Sequence, residues 1–173
     1  MGVALTLKQY LEDHEINYDL VIHEKTQCSS DTAQVCHVSG NDLAKGVVLK
    51  RKKGYLLAVL PASQNVRLGK MGRWLKQPVR LATEDEVSEL FDDCEQGAVP
   101  PIGAAYGLKA IIDEQLEGHD DIYFEAGDHV TLIHIPGRQF DRLMKKVPHE
   151  SIGKELSNEE TPLDLSEYNF WGT

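Results

Sequence analysis

The segment Gly97-Ala98-Val99-Pro100-Pro101-Ile102-Gly103 restricts the possible folds of this chain more than any other stretch. Each proline fixes φ at about −65° and lacks an N–H, whereas each glycine accepts a positive φ or a close backbone approach. Such a segment is neither a helix nor a central strand, so it predicts a stiff loop between two regular elements. Stiff loops often line sites, but the pattern alone is also typical of a tight structural connection.

Apolar periodicity on both sides of this loop predicts a mixture of helices and strands. Helices are predicted over 6–16, 30–38, 65–76, 83–91 and 136–144. Strands are predicted over 18–23, 47–49, 55–60, 79–82, 109–112, 122–125 and 130–135. Two of the helices begin with the spacing of a capping box, Thr6 with Gln9 and Thr83 with Glu86. Because no regular βαβ rhythm appears, we predict a single α+β domain with a mixed, largely antiparallel sheet or a partly closed barrel.

Length and composition suit one domain and a separate acidic end. The 173 residues are enough for one core, and residues 149–173 hold six acidic residues against one lysine. We therefore predict a domain over 1–148 and a tail over 149–173. No apolar run approaches the roughly 20 residues of a membrane span, and no signal-peptide pattern is seen. Three cysteines without a CxxC pair predict a cytoplasmic location.

The charges are unevenly distributed along the chain. Ten basic residues and no acidic residue lie between Lys45 and Arg80, although the chain has a net charge of −10. The remainder holds 8 basic and 28 acidic residues, a net charge of −20. A segregated basic stretch is typical of phosphate binding, and a solvated basic face is the alternative. If many phosphates are contacted, nucleic-acid binding should weaken with salt.

Three motifs follow one another in a fixed order. Lys45 precedes the strand 47–49, the loop 97–103 follows a capped helix, and Glu125-Ala126-Gly127-Asp128-His129-Val130-Thr131 follows a late strand. In this order, over about residues 5–147, they resemble the YbaK/EbsC family of aminoacyl-tRNA deacylases, which is related to the editing insertion of bacterial prolyl-tRNA synthetases. The resemblance implies a freestanding hydrolase that cleaves the ester of mischarged aminoacyl-tRNA at its acceptor end. It also implies an aminoacyl-tRNA synthetase as a second partner, and we predict no cofactor.

The resemblance also implies which residues are catalytic. The essential lysine of the family falls on Lys45, its loop glycine on Gly97 and its loop proline on Pro101. A lysine ammonium can hold the terminal phosphate of tRNA or the oxyanion of the reaction, and amides of a rigid loop can donate to that oxyanion. The imidazole of His129 can position water or act as a base. Lys45, Gly97 and His129 are therefore the predicted catalytic residues.

Both loops are predicted to contact the substrate. The predicted contacts are Ala98, Val99, Pro100, Pro101, Ile102, Gly103, Glu125 and Thr131. Because prolines lack an N–H, only the amides of Gly97, Ala98, Val99, Ile102 and Gly103 are potential donors. Ala98 and Val99 are suited to limit the size of the bound amino acid. Neither Ser63, Thr131 nor Cys94 has the pattern of an activated nucleophile, so the resemblance implies that a ribose hydroxyl of the substrate helps to activate water.

Two departures from the family pattern favour an alternative function. Gly46 follows the lysine where the family often has threonine, and Pro100 stands where serine or threonine is frequent. They leave the amino-acid specificity open. They also keep open a non-catalytic module that binds an amino acid, a nucleotide or a tRNA end.

A metal site is the remaining alternative. Glu125, Asp128, His129 and His134 lie within ten residues of one another and have side chains that ligate zinc or manganese. Their spacing would suit a helix, but they fall in a β-rich stretch where alternation places His134 on the same face as Val130 and Leu132. We therefore predict no metal.

Overall fold

The computed structural model describes residues 2–26 and 28–155. Its helices are α1 (Leu5–Asp13), α2 (Ser29–Val35), α3 (Leu68–Leu75), α4 (Glu84–Leu90) and α5 (Gly137–Leu143). Its strands are β1 (Asp19–Ile22), β2 (Leu43–Lys50), β3 (Tyr55–Pro61), β4 (Gln64–Val66), β5 (Arg80–Leu81), β6 (Lys109–Asp113), β7 (Asp121–Glu125), β8 (Thr131–Pro136), β9 (His149–Glu150) and β10 (Gly153–Glu155). None of the described helices is long and apolar enough to cross a membrane. The predicted α+β class is confirmed.

The main sheet is mixed and open. Its order is β1-β8-β7-β2-β3-β6-β9, with β5 also paired to β2, and β4 and β10 form a separate two-stranded sheet. The pairs β2–β7, β3–β6 and β6–β9 are parallel, and the other pairs are antiparallel. Among the described residues the two outermost strands of the order do not pair with each other, so the predicted mixed sheet is present and the alternative of a partly closed barrel is not.

Helices cover both faces of this sheet. On one face, α1 and α5 pack their buried side chains against Val48, Phe124 and Ile133. On the other face, α3 packs on Leu49 and Leu56, while α2 packs on Leu43 and Leu132. Burial of each such side chain stabilises the fold by about 1.5–3 kcal/mol. The central strand β2 therefore lies at the middle of two apolar layers.

Two local predictions near helix starts are wrong. The predicted helix 65–76 begins only at Leu68, because residues 64–66 pair as β4 with β10. The Thr6–Gln9 capping box does not form, since Thr6 lies inside α1 and its N–H donates to Asp93 Oδ2 at 2.8 Å. In both cases a distant partner replaces the local interaction. The Thr83–Glu86 box is present, with both of its hydrogen bonds formed.

The domain extends further toward the C-terminus than predicted. Residues 149–150 pair with β6, and residues 153–155 pair with β4. The buried Asp113 carboxylate accepts hydrogen bonds from the amides of Ile152 at 2.9 Å and Gly153 at 2.8 Å. The boundary predicted after residue 148 therefore moves beyond Glu155. The rest of the predicted tail, 156–173, lies outside the described residues.

Candidate active site

Lys45 lies within β2, not before it as the sequence indicated. It pairs with Leu60 of β3. Because side chains alternate along a strand, its side chain lies on the same face of the sheet as Leu43, which packs under α2, and Leu49, which packs under α3. The residue is half-buried. Burial lowers the pKa of its ammonium, and the nearby Cys28 thiol opposes this effect only in part. Within residues 2–26 and 28–155, no hydrogen bond or ion pair is formed by this ammonium.

Gly46 provides the contact between β2 and the glycine-proline loop. A Cβ at this position would lie 3.0 Å from Leu57 Cδ1 and 3.4 Å from both Pro101 Cα and Val99 Cγ1. The loop therefore packs directly on the strand of Lys45, on the face opposite its side chain. The absence of a side chain at Gly46, a departure from the family pattern, leaves room for this loop.

Burial divides the loop into an accessible end and a packed end. Gly97 is exposed and Val99 half-buried, while the other residues of 98–103 are buried. The Ala98 N–H donates to Glu95 O at 3.0 Å, which removes it from the predicted donors. In the part of the chain that the structure describes, the amides of Gly97 and Val99 have no acceptor. These two amides remain as the accessible donors.

His129 is hydrogen-bonded to the residue that precedes this loop. Its Nε2 is hydrogen-bonded to the backbone oxygen of Gln96, the residue before Gly97. Because a carbonyl only accepts, the Nε2 of His129 carries the proton. The residue is 7 % exposed and has a φ of 61°, in the left-handed region that costs a non-glycine residue energy. The contact makes His129 a positioning residue for the loop, whereas its predicted role as a base remains a prediction.

The segment before α2 connects this end of the loop to Lys45. Lys25 Nζ lies 3.6 Å from Glu95 Oε2, two residues before Gly97. The Thr26 N–H donates to His129 O at 3.4 Å. Cys28, in turn, is near enough for its charge to act on the pKa of Lys45. Lys25, Thr26 and Cys28 therefore lie near Glu95, His129 and Lys45 respectively, and a common site for Gly97, His129 and Lys45 stays a prediction.

Glu125 lies at the end of β7. It is 5 % exposed, and burial raises the pKa of its carboxyl, opposed by a hydrogen bond from Thr32 Oγ1 to its Oε1 at 3.2 Å. The hydroxyl of Thr32 also contacts that of Thr26. The other carboxyl oxygen, Oε2, is buried without a partner among the described residues. The predicted contact of Glu125 with the substrate stays a prediction, because this oxygen is unsatisfied but buried.

Thr131 supports the turn between β7 and β8. It is fully buried, and its N–H and Oγ1 donate to the Asp128 carboxylate at 2.8 and 2.9 Å, alongside the Val130 N–H at 3.1 Å. These bonds shape the turn between β7 and β8. No surface of Thr131 is accessible in this structure, so its predicted contact with the substrate stays a prediction.

A model of the aminoacyl-tRNA editing domain matches residues 23–143, which includes Lys45, the loop and His129. The chain belongs to this family. Among functionally curated proteins, none matches the chain significantly.

Three solved structures resemble the chain over most of its length. A hypothetical protein, APE2540, is 21 % identical, with a TM-score of 0.75, and the match covers 86 % of this chain and 99 % of that one. A proposed trans-editing enzyme for prolyl-tRNA synthetase is 25 % identical, with a TM-score of 0.74 and coverages of 87 % and 96 %. A proposed signal transduction protein from Marinobacter aquaeolei VT8 is 15 % identical, with a TM-score of 0.71, and covers 93 % of this chain but 33 % of its own.

Cys94 lies against the turn between β7 and β8 of this editing domain. Its Sγ lies 3.2 Å from the position that a Cβ on Gly127 would occupy, and 3.4 Å from the hydroxyl of Tyr106. Burial raises the pKa of the Cys94 thiol to about 12. At neutral pH the group is therefore a thiol, and a thiolate nucleophile is not available from it.

The four residues considered for a metal do not converge in this editing domain. His134 faces Asp19 and Asp121, at 3.4 and 2.7 Å, whereas His129 faces Gln96. Over the described ranges 2–26 and 28–155, no group of three histidine, cysteine or carboxylate side chains could hold a metal ion.

Sequence reasoning missed the side chains that support the site from α2 and the segment before it. These are Lys25, Thr26, Cys28 and Thr32. They have no motif spacing, and they reach the site because α2 packs across β2 and β8. The ten residues of the predicted basic stretch are distributed over β2, the following turn, α3 with its two flanking residues, and β5, and Arg80 pairs with Glu86 at 2.8 Å. A phosphate-binding role for this stretch stays a prediction.

Proposed function

We propose that this editing domain is a freestanding hydrolase that cleaves the ester of mischarged aminoacyl-tRNA. The observation that carries the proposal is Lys45, a cation that loses hydration without gaining a partner among the described residues. Removing a charge from water is costly unless it is paired. A partially buried, unpaired ammonium in a family of tRNA-editing domains is therefore suited to an anion supplied by the substrate.

Each residue of the site has a task in this reaction. Water adds to the ester carbonyl, and the tetrahedral intermediate then expels the ribose oxygen, which takes up a proton. The ammonium of Lys45 holds the terminal phosphate or the developing oxyanion, and the amides of Gly97 and Val99 donate to that oxyanion. No side-chain nucleophile is required, because a ribose hydroxyl of the substrate orients the water. His129 maintains the position of the amides through Gln96.

The partners and location follow from this substrate. The acceptor end of aminoacyl-tRNA is the primary partner, and a synthetase that releases the mischarged tRNA is the second. A cytoplasmic site of action agrees with the three free cysteines Cys28, Cys36 and Cys94.

A panel of mischarged tRNAs tests the proposal. We expect release of free amino acid from at least one of them, and its loss in Lys45→Ala. Lys50→Ala is the matched control, because Lys50 lies on the same strand but already has a partner, with its ammonium over the Tyr55 ring at 4.3 Å. Hydrolysis at the spontaneous rate with every member of the panel would remove the catalytic claim.

A binding module without catalysis is the second candidate. It is favoured by the Ala98 amide, which is occupied by Glu95 and so leaves fewer donors than the loop pattern predicts. This candidate predicts saturable binding of uncleaved aminoacyl-tRNA that weakens in Lys45→Ala. Measuring binding and hydrolysis on the same tRNA separates the two functions.

A further inference from the structure

A large groove lies at the side of the domain where α1, α3 and α5 approach one another. Its volume is about 660 Å³, within the range of roughly 300–1,000 Å³ typical of binding sites. Much of its lining is apolar: Leu56, Trp74, Leu75, Ile102, Met144 and Val147. Trp74 is 43 % exposed, which is unusual for a side chain of this size. We call this cavity the basic groove because of the charges that surround it.

Five cations and no carboxylate line the basic groove. They are Arg51, Lys109, Arg142, Lys145 and Lys146. In the described part of the chain none of them forms an ion pair, although this protein has a net charge of −10. The Nε of Arg51 is in addition buried without a hydrogen-bond partner there. An apolar surface surrounded by unpaired cations fits an occupant that combines carboxylates with large apolar side chains.

The segment 159–171 of the same chain has this composition. It carries four carboxylates and neither lysine nor arginine. Its large apolar side chains are Leu163, Leu165, Tyr168, Phe170 and Trp171. Acidic and apolar residues are interspersed over 163–168, so an extended segment can present both kinds of group to the groove.

The described chain ends close enough for this segment to reach the groove. Ile152 packs with Leu68 and Met71 of α3, and the other end of α3 supplies Trp74 and Leu75 to the groove. A helix of this length spans only about 12 Å. The residues between Glu155 and Tyr168 span up to about 43 Å when extended, which is several times that distance.

We propose that residues 159–171 dock in the basic groove of their own domain, with the aromatic side chains on the apolar lining and the carboxylates on the surrounding cations. The covalent connection favours this occupant, because a tethered segment has an effective concentration of about millimolar. Ile102 and Gly103 belong to the groove lining, so the docked segment contacts the packed end of the loop 97–103. The inference does not depend on the proposed hydrolase activity.

The two tryptophans of the chain provide a direct test. In Trp74→Phe, Trp171 is the only tryptophan that remains. We expect its quenching by acrylamide to be weaker by about threefold or more than in a synthetic peptide of residues 159–173, because a buried ring is shielded from the quencher. Equal quenching in the protein and the peptide would overturn the proposal.

Charge reversal tests whether the groove is the docking site. In the Trp74→Phe background, Lys145→Glu with Lys146→Glu should return the quenching to the peptide value. Lys8→Glu with Lys53→Glu is the matched control, since it changes the net charge equally at exposed positions outside the groove. Protection that survives in the groove variant refutes docking there. Protection that disappears on dilution refutes docking within one chain and assigns the contact to a second copy.

A cross-linking measurement keeps the test decisive if the charge-reversed protein does not fold. With p-benzoylphenylalanine in place of Tyr168 in the otherwise unchanged chain, irradiation should cross-link the segment to groove residues such as Met144. Mass spectrometry locates the cross-link, and attachment outside the groove contradicts the proposal.

Discussion

The two ends of the loop 97–103 differ, although each is occupied by a glycine. Gly97 is exposed, has a φ of 83° and offers an amide that no described residue accepts. Gly103 is buried, and a Cβ there would lie 3.0 Å from Leu108 O and 3.3 Å from Ala110 Cβ. The first glycine is required by the backbone conformation and the second by the lack of space. The loop therefore has one end suited to contact substrate and one end that anchors it.

Of the substitutions at the two ends of the loop, Gly97→Ala should have the largest effect on the proposed reaction. A side chain in the left-handed region costs roughly 1–2 kcal/mol, and relief of this strain would rotate the amides of Gly97 and Val99. Loss of one oxyanion donor lowers a rate by about 10²- to 10³-fold. We expect a loss of this size in single-turnover hydrolysis of the mischarged tRNA that the wild-type protein cleaves.

Gly118→Ala is the control for backbone strain. Gly118 is also exposed, with a φ of 73° and open space around its Cα. Its substitution should cost similar stability in urea unfolding and leave hydrolysis unchanged. If both variants lose activity equally, the Gly97 end has no special role.

Gly103→Ala should mainly reduce stability. The new methyl group would meet backbone and buried side chains, and such overpacking costs about 1–3 kcal/mol. We expect a lower urea midpoint with a rate per folded molecule close to that of the wild type. Gly69→Ala is the matched control, because its Cβ meets only the end of Arg73 at 3.5 Å, and removing glycine from a helix stabilises it by about 0.5–1 kcal/mol. A large rate loss in Gly103→Ala would contradict the distinction between the two ends.

The difference between these ends could not be predicted from the sequence. The glycine and proline spacing predicted a stiff loop, but which glycine is exposed depends on packing against Gly46, Leu108 and Ala110. The same limit applies to the fold. Short-range patterns such as the Thr83–Glu86 box were sufficient to predict most helices and strands from the sequence. Strand β4 could not be predicted in this way, because it forms by pairing with a strand far along the chain.

The candidate site was partly predictable for a similar reason. Lys45, the loop and His129 belong to motifs that the family resemblance identifies. Thr32 and Cys28 were not predictable, since their approach to Glu125 and Lys45 depends on the position of α2 over the sheet.

His129→Asn tests how the accessible end is held. Asparagine tolerates the left-handed backbone, so the substitution mainly removes the hydrogen bond to Gln96 O. A single such bond is worth about 1–1.5 kcal/mol, so we expect roughly a tenfold lower rate constant with little change in tRNA affinity. A general base would instead contribute about 10²- to 10⁴-fold. A loss in that range, together with a changed acidic limb of the pH profile, would make His129 catalytic and not positioning.

The smallest expected effect is a shift in the pKa of Lys45, which reports whether its ammonium is partly buried and unpaired. Burial disfavours the charged form, so the pKa lies below the ordinary lysine value of about 10.4. Between the lowered pKa and that value, the unfolded chain binds a proton that the folded protein has released, so stability rises with pH there. Hydrolysis that uses the ammonium should decline over the same window.

The ¹³Cε shift of Lys45, assigned by comparison with Lys45→Arg, measures the pKa directly. Cys28→Ser should lower it further, because the Cys28 thiol raises it. A pKa at or above the ordinary value would mean that the ammonium is hydrated or already paired, and would contradict the unpaired, partly buried cation on which the proposed function rests.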